Sequence, residues 1–255
     1  MKRILCIFFL GILLMNTKAD AQKLTDLGVK AGISIPNLTS GKDANPISSG
    51  YSSRLDIDAA IHAEFVLTRH FSIQPQLEYS SQGGKKNGGQ AFTTPSAMQQ
   101  LFPAGEAPQY LYANYKSNTR INYLMLPLLV KYRIDIANHW QAYIQAGPFI
   151  SLLLAAHNNT SGSSIIYLDP EQTQPLSPVP QPFDNNENVK SDLHLINSGV
   201  CGYAGCKYKL PNGSIFIEAG GNYGLIDIQK NTANGKNKTG AASIVAGYQF
   251  HISIH

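Results

Sequence analysis

The sequence predicts an all-β protein: an eight-stranded antiparallel up-and-down β-barrel that spans the outer membrane. Two observations predict it. Segments of alternating polar and apolar residues recur along the chain, and the links between them alternate between short and long. Alternating segments of about ten residues, joined by short periplasmic turns and longer extracellular loops, are typical of a transmembrane barrel. One segment is a weak signal, but eight in series favour this fold over a secreted soluble barrel.

The clearest predicted strand is FSIQPQLEYS, residues 71–80. Its odd-numbered residues are apolar apart from Pro75 and its even-numbered residues are polar, and this period of two marks a strand with two different faces. The other predicted strands are LGVKAGISI (27–35), IDAAIHAEFVL (57–67), INYLMLPLLVKYRI (121–134), WQAYIQAGPFISLLL (140–154), LINSGVCGYAGCKY (195–208), SIFIEAGGNYGL (214–225) and SIVAGYQFHISI (243–254).

The links and the aromatic residues indicate which face meets lipid. Short links span 68–70, 135–139 and 210–213, whereas long links span 36–54, 83–118, 157–192 and 227–240. Aromatic residues on the apolar face fall into two belts, as in the interfacial girdles of outer-membrane barrels. The belt at the short turns holds Phe65, Phe71, Tyr132, Trp140, Tyr208 and Phe250, and the other holds Tyr79 and Tyr223. We therefore expect the apolar face to meet lipid and the polar face to line the lumen.

The first residues predict a secretory signal peptide. A basic start at Lys2 and Arg3 precedes the apolar run ILCIFFLGILLM, and Ala19-Asp20-Ala21 fits a cleavage site. The run is too short for a membrane-spanning helix. We expect residues 1–21 to be a signal peptide, cleaved near Ala21, and residues 22–255 to form the barrel in the cell outer membrane.

Composition and motifs argue against several functions. A formal net charge of +4 gives no basic footprint for nucleic acid. Cys201 and Cys206 fall on opposite faces of one predicted strand, so we expect neither a disulfide between them nor a zinc site. The sequence has no G-x-S-x-G, Walker or H-E-x-x-H motif. We therefore expect no catalytic residues, metal or cofactor, although His62 and His194 are both predicted to point inward. The third alternative for the function, after a partner-binding barrel and a pore, is an outer-membrane enzyme whose serine, histidine and carboxylate meet in space rather than in sequence.

Charged residues on the predicted inward face form the candidate site. Counting from the short-turn end places Lys30, Glu64, Lys131 and Glu218 at one height, and Arg133 and Glu78 extend this layer. An eight-stranded barrel is just wide enough for side chains to fill it, so two cations and two carboxylates at one level would neutralise each other. We expect a lumen charge network that plugs the barrel, with a small passive pore as the alternative.

The long loops are the expected place for partner binding, because binding residues usually lie on loops above a rigid scaffold. Loop 157–192 is Pro-rich and acidic, whereas loop 83–118 carries three lysines and begins with GGKKNGG, which reads as a flexible, solvated segment. We expect these two loops to bind an envelope protein. The alternatives are pairing with each other, contact with lipopolysaccharide in the surrounding membrane, or simple solvation.

Three prolines fall within predicted strands, at Pro75, Pro127 and Pro148. Each lacks the backbone N–H that a strand donates to its neighbour. A closed barrel has no edge strand, so every one of these prolines removes an interstrand hydrogen bond. We therefore expect a local β-bulge at each proline.

The chain resembles the PorT-like outer-membrane β-barrel proteins of the Bacteroidetes, which are also described as porin family proteins. The resemblance rests on segments such as YLMLPLLVKY (123–132), NYGLIDI (222–228) and the closing AGYQF (246–250), where Tyr248-Gln249-Phe250 resembles a terminal assembly signal, although HISIH follows it. It implies an outer-membrane barrel without catalytic motifs. Family members include a component needed for type IX secretion, and many have no assigned role, so the resemblance implies location and fold rather than a role. An accessory role in protein export is one expectation for the partner that the loops bind.

Overall fold

The computed structural model describes residues 23–41, 45–231 and 235–252, so the predicted signal peptide lies outside the described residues. Eight long strands form the barrel: β1 Lys23–Ser40, β2 Asp56–Val66, β3 Phe71–Thr93, β4 Tyr110–Asp135, β5 Trp140–Ser161, β6 Ile196–Leu210, β7 Gly213–Gly224 and β8 Asn237–His251. The remaining elements are helix α1 Ser96–Gln99, a 3-10 turn at Lys190–Asp192, and short unlabelled strands at Ser163–Ser164, Gln181–Pro182 and Asn185–Asn188. No helix within the described ranges is long and apolar enough to cross a membrane.

The eight strands form a closed antiparallel ring. Each pairs with its neighbours in the chain, β1 pairs with β8, and the pairing of β4 with β5 completes the ring between the two halves of the sheet. Connections of a few residues follow β2, β4 and β6, while long connections follow β1, β3, β5 and β7. The predicted up-and-down barrel with alternating short and long links is confirmed.

The alternation of side chains places polar residues inside and apolar residues outside. On β3, Ser72 and Glu78 are 0% and 2% exposed, whereas Phe71 is 45% exposed. The outer wall carries a belt of exposed aliphatic side chains such as Ile61, Ile144 and Ile244. A continuous apolar belt around a closed barrel is the surface that lipid requires, and the predicted direction of the two faces is confirmed.

Aromatic side chains pack together at the short-turn end of the belt. Phe71 and Tyr132 are paired across β3 and β4, with ring centroids 5.1 Å apart. Trp140 and Tyr208 are paired across β5 and β6 at 5.0 Å. These cross-strand pairs form one edge of the belt, at the level where aromatic girdles meet the membrane interface.

Three strands run much farther outward than the sequence predicts. The β3–β4 hairpin stays paired up to Thr93 and Tyr110, and β5 continues to Ser161, where Asn185–Asn188 pairs with it. We call this extension the extracellular blade; it consists of residues 83–93, 110–118, 155–161 and 185–188. The prediction that 83–118 is a loop is therefore wrong for most of its length. Residues such as Gly and Asn have low strand propensity, but pairing with neighbouring strands overrides that preference.

The predicted bulges at the prolines are also wrong. On β3 and β4 the register is the same at Ile73↔Val130 and at Glu78↔Met125, on either side of Pro75. The register around Pro127 and Pro148 is likewise unchanged. Each missing N–H is therefore accommodated without an extra residue. The register shifts occur elsewhere, between Leu24 and Asp26 and between Asn122 and Tyr123.

The interior has a charged part toward the short turns and an apolar part toward the long loops. The apolar cluster includes Tyr123, Met125 and Leu153 from the walls and Leu193 and Ile228 from the connections. The inward residues of β4 change from lysine and arginine to leucine, methionine and tyrosine along the strand, which explains why that segment is apolar on both faces. The two parts together fill the barrel with side chains.

Candidate functional site: the lumen clusters and the extracellular cavity

A first group of charges surrounds Glu64 near the short turns, and we call it the turn-side cluster: Glu64, Lys131, Arg133 and Lys207. Glu64 is fully buried. Arg133 donates to its Oε1 at 2.9 Å and Lys131 to its Oε2 at 3.1 Å, while the Nζ of Lys207 lies 3.9 Å away. Gln249 also donates to Oε2 at 2.6 Å. One carboxylate therefore faces three cations, so these four residues carry a positive excess.

A second group, the mid-barrel cluster, consists of Lys30, Asp58, Glu78 and Glu218. The Nζ of Lys30 donates to Glu218 Oε1 at 2.7 Å, lies 3.8 Å from Glu78 Oε2, and shares a small internal space with Asp58. Oε1 of Glu78 and Oδ2 of Asp58 are buried without a hydrogen-bond partner in the described residues. One cation therefore faces three carboxylates, the reverse of the turn-side cluster.

Tyr143 connects the two clusters. Lys131 lies 4.6 Å from the centre of its ring, a distance that allows a cation–π contact. Its hydroxyl donates to Glu218 Oε2 at 3.0 Å. The positive turn-side cluster and the negative mid-barrel cluster are thus connected through the buried side chain of Tyr143. Connected polar networks of this kind make a low-dielectric interior rigid.

The structure places all six residues of the sequence-predicted site inside the barrel, but not at one height. Glu64 pairs with Asp26, four residues from Lys30 along β1, so Glu64 and Lys30 lie at different levels. The four residues of the predicted layer do form cation–carboxylate pairs, Lys30 with Glu218 and Lys131 with Glu64, but the pairs belong to two groups rather than to one layer. Lys131 and Arg133 join Glu64, whereas Glu78 and Glu218 join Lys30.

Sequence reasoning left two members out of the predicted site, Lys207 and Asp58, and two residues that hydrogen-bond to the clusters, Tyr143 and Gln249. All lie on the inward phase of their strands, so the same period-of-two count finds them when it is continued along every strand. His62 is buried in the lumen as predicted, but His194 is exposed, and the prediction for that residue is wrong.

Above the apolar cluster, a cavity of about 310 Å³ opens toward the extracellular side. Its floor is apolar and its walls come from β1, β3, β4, β5 and the long connections. Aromatic rings, side-chain amides, one lysine and two carboxylates line it together: Tyr51, Phe92, Tyr115, Gln90, Asn158, Gln229, Lys86, Glu187 and Asp192. This volume is at the small end of the range for ligand pockets, about 300–1,000 Å³.

Lys86 is the buried cation of this cavity. It lies on β3 beyond Tyr79, outside the apolar belt, and is only 8% exposed. Its Nζ donates to the carbonyl of Ile47 and lies 4.3 Å from the ring centre of Tyr51. Burial lowers the pKa of Lys86 to about 8. The sequence prediction of a solvated GGKKNGG segment is wrong here, because the strand continues and turns Lys86 inward.

Some of the side-chain amide groups that line the cavity already have hydrogen-bond partners in the protein. Gln90 Nε2 donates to the carbonyl of Tyr115 at 2.6 Å. The hydroxyls of Ser117 and Thr119 donate to Asn158 Oδ1 at 2.8 and 3.1 Å, which orients the Asn158 amide. These bonds fix the positions of the polar groups in the wall, and fixed polar groups are what gives a pocket its specificity.

The charged loops do not neutralise one another in the described part of the chain. No ion pair there joins the acids of 157–192 to the lysines of 83–118. Asp169 instead accepts hydrogen bonds from the backbone of Thr173 and Gln174, and the Nζ of Lys190 donates to the carbonyl of Leu154. Charge pairing therefore does not join the two loops; backbone hydrogen bonds between Tyr112 and Tyr167 and the stacked rings of Tyr115 and Phe183, 4.6 Å apart, do.

A closed barrel with an apolar outer belt and a filled, charged lumen defines an integral protein of the outer membrane. Residues 20–230 match the family described as outer membrane protein beta-barrel domain, and the chain belongs to this family. A comparison with curated protein sequences finds no match.

Solved outer-membrane barrels show low overall similarity to this chain. The attachment invasion locus protein Ail of Yersinia pestis, in complex with the heparin analogue sucrose octasulfate, is 12% identical, with a TM-score of 0.37 and coverage of 89% of this chain and 100% of Ail. Neisserial surface protein A is 14% identical, with a TM-score of 0.38 and coverage of 89% and 97%. The outer membrane protease OmpT of Escherichia coli is 10% identical, with a TM-score of 0.34 and coverage of 93% and 99%.

Proposed function

We propose that this protein is a closed, non-enzymatic barrel that serves as a rigid base for its extracellular blade, and that the blade and loop 157–192 bind a protein partner of the cell envelope. An accessory role in protein export is part of this proposal, as is removal of residues 1–21 near Ala21. The observation that carries it is the combination of a filled lumen with strands that extend far beyond the apolar belt.

The filled lumen supports a scaffold over the alternative of a passive pore. The turn-side and mid-barrel clusters occupy the interior toward the short turns, and Tyr123, Met125 and Leu153 occupy it toward the loops. A conducting eight-stranded barrel would need a continuous water-filled path between these side chains, and the interior of such a barrel has little room beyond them.

Two features of the blade favour partner binding: the length of its strands and the unpaired edge of β3. Residues 83–93 continue for roughly 35 Å at about 3.3 Å per residue. From Lys86 to Thr93, β3 pairs with β4 on one side, and no described strand pairs with its other side. Exposed strand edges present unpaired N–H and C=O groups to which an extended segment of another protein can add.

Cross-linking in intact cells, followed by pull-down of a tagged protein, tests this proposal. We expect a specific envelope protein to be recovered with the wild type and lost when Asn87–Lys116 is replaced by an Asn-Gly turn. Lys86 pairs with Ser117, so this shortened hairpin keeps its register and loses almost the whole free edge. A matched control changes the turn residues Pro211 and Asn212 at the opposite end of the barrel and should keep the partner. Recovery of only abundant membrane proteins, or of the same partner with the shortened hairpin, would contradict the proposal.

A further inference from the structure

We infer that the extracellular cavity binds an acidic sugar residue, whose carboxylate pairs with the ammonium of Lys86. This inference concerns a small molecule and does not depend on the protein partner proposed above. It rests on the composition of the cavity, on the charge of Lys86, and on the arrangement of hydrogen-bonding groups around it.

The first step is the missing counter-charge. Buried charges in proteins are normally paired, because an isolated charge loses its hydration. In the described part of the chain, no carboxylate forms an ion pair with Lys86, and the only hydrogen bond of its Nζ is to the carbonyl of Ile47. An ammonium has three N–H donors. Lys86 therefore has donors left for a ligand, and an anionic group is the acceptor that would restore charge balance.

The second step is the mixture of rings and polar groups. Tyr51, Phe92 and Tyr115 provide flat apolar surface, and Gln90 and Asn158 add amide groups at fixed positions. Gln90 Nε2 and Asn158 Oδ1 already have partners, so Gln90 Oε1 and Asn158 Nδ2 are the amide atoms that face a ligand; a simple acyl chain would offer them no hydrogen bond, which is costly. A sugar ring satisfies both kinds of wall, since its C–H faces pack on rings while its hydroxyls donate and accept hydrogen bonds.

The third step is the position of the two acids. Glu187 and Asp192 belong to the long connection after β5, whereas Lys86 belongs to β3. Carboxylates accept hydrogen bonds, so hydroxyl groups of the ligand can donate to Glu187 and Asp192. A dianionic ligand would meet repulsion there. One carboxylate on a polyhydroxylated ring, as in a hexuronate, matches the cavity best.

The test uses the purified full-length barrel in lipid nanodiscs with glucuronate, glucose and hexanoate as probes, measured by saturation-transfer NMR and calorimetric titration. Wild type should bind glucuronate at least about tenfold more tightly than glucose or hexanoate. Lys86→Met should weaken glucuronate binding by about tenfold or more, because a charge-assisted hydrogen bond is lost. The matched control is Lys85→Met, since Lys85 is the exposed neighbour and its loss should leave binding unchanged.

A second variant keeps the test decisive if Lys86→Met folds poorly. Asn158→Asp keeps the oxygen that accepts from Ser117 and Thr119 but adds a negative charge to the cavity wall, and it should also weaken glucuronate binding. No glucuronate binding by wild type, or equal binding by Lys86→Met and wild type, would overturn the inference. Equal binding of hexanoate and glucuronate would overturn the assignment to a sugar.

Discussion

Replacing Glu64 with alanine should lower the free energy of unfolding of the barrel by about 3–5 kcal/mol, the range for removing one partner of a buried ion pair. Glu64 is the carboxylate that faces Lys131, Arg133 and Lys207 in the turn-side cluster. Without it, the buried Lys131 and Lys207 and the half-buried Arg133 would repel one another with no facing carboxylate. Ser72 and Gln249 would also lose the acceptor to which they donate.

Urea unfolding of the protein in lipid vesicles measures this change, with tryptophan fluorescence of Trp140 as the signal. Glu171→Ala is the matched control, because Glu171 is an exposed carboxylate of the long loop and its removal should change the unfolding free energy by less than about 0.5 kcal/mol. If the Glu64 and Glu171 variants unfold at the same urea concentration, the turn-side cluster does not stabilise the barrel.

Replacing Lys30 with methionine should have an effect of similar size, again about 3–5 kcal/mol, but for the opposite electrostatic reason. Lys30 is the cation of the mid-barrel cluster. Without it, the carboxylates of Asp58, Glu78 and Glu218 repel one another with no cation between them. The same urea titration measures the change. Lys209→Met is the control, since the Lys209–Asp135 pair is largely exposed at the rim and such pairs contribute about 1 kcal/mol or less.

A double variant separates the charge effect from loss of packing. Adding Glu78→Gln to Lys30→Met removes one of the three carboxylate charges, and it should restore part of the lost stability. Contacting residues of one network are expected to show such non-additivity in a double-mutant cycle. Strict additivity of the two substitutions, or a Lys30→Met protein as stable as the wild type, would show that the charges of this cluster do not interact as the geometry indicates.

The barrel could be predicted from the sequence because the period of two is strong where one face meets lipid and the other meets polar side chains. The residues at which the strands end could not be predicted in this way. Beyond Tyr79 on β3 no lipid requires apolar residues, so the outward face becomes polar and the alternation that marks the strand disappears. The pairing of residues 83–93 with β4 is a tertiary effect that local composition does not reveal.

The candidate site was also predictable only in part. The inward direction of Lys30, Glu64 and Glu218 follows from the period of two, but their separation into two clusters depends on the tilt of the strands. Lys86 shares the even-numbered inward phase of Ser72 and Glu78, so continuing that count past Gly83 would have found it. The cavity itself could not be predicted, because its walls come from four strands and from the connections between them.

The most direct test of the closed barrel is the conductance of the purified protein in planar lipid bilayers. We predict that insertion produces no discrete conductance steps, because the two charged clusters and the apolar cluster fill the lumen. Heat-modifiable migration on gels from the same preparation would establish that the barrel is folded, and an open porin in the same bilayer serves as the positive control. Reproducible single-channel steps from the folded wild-type protein would contradict the account and favour a passive pore.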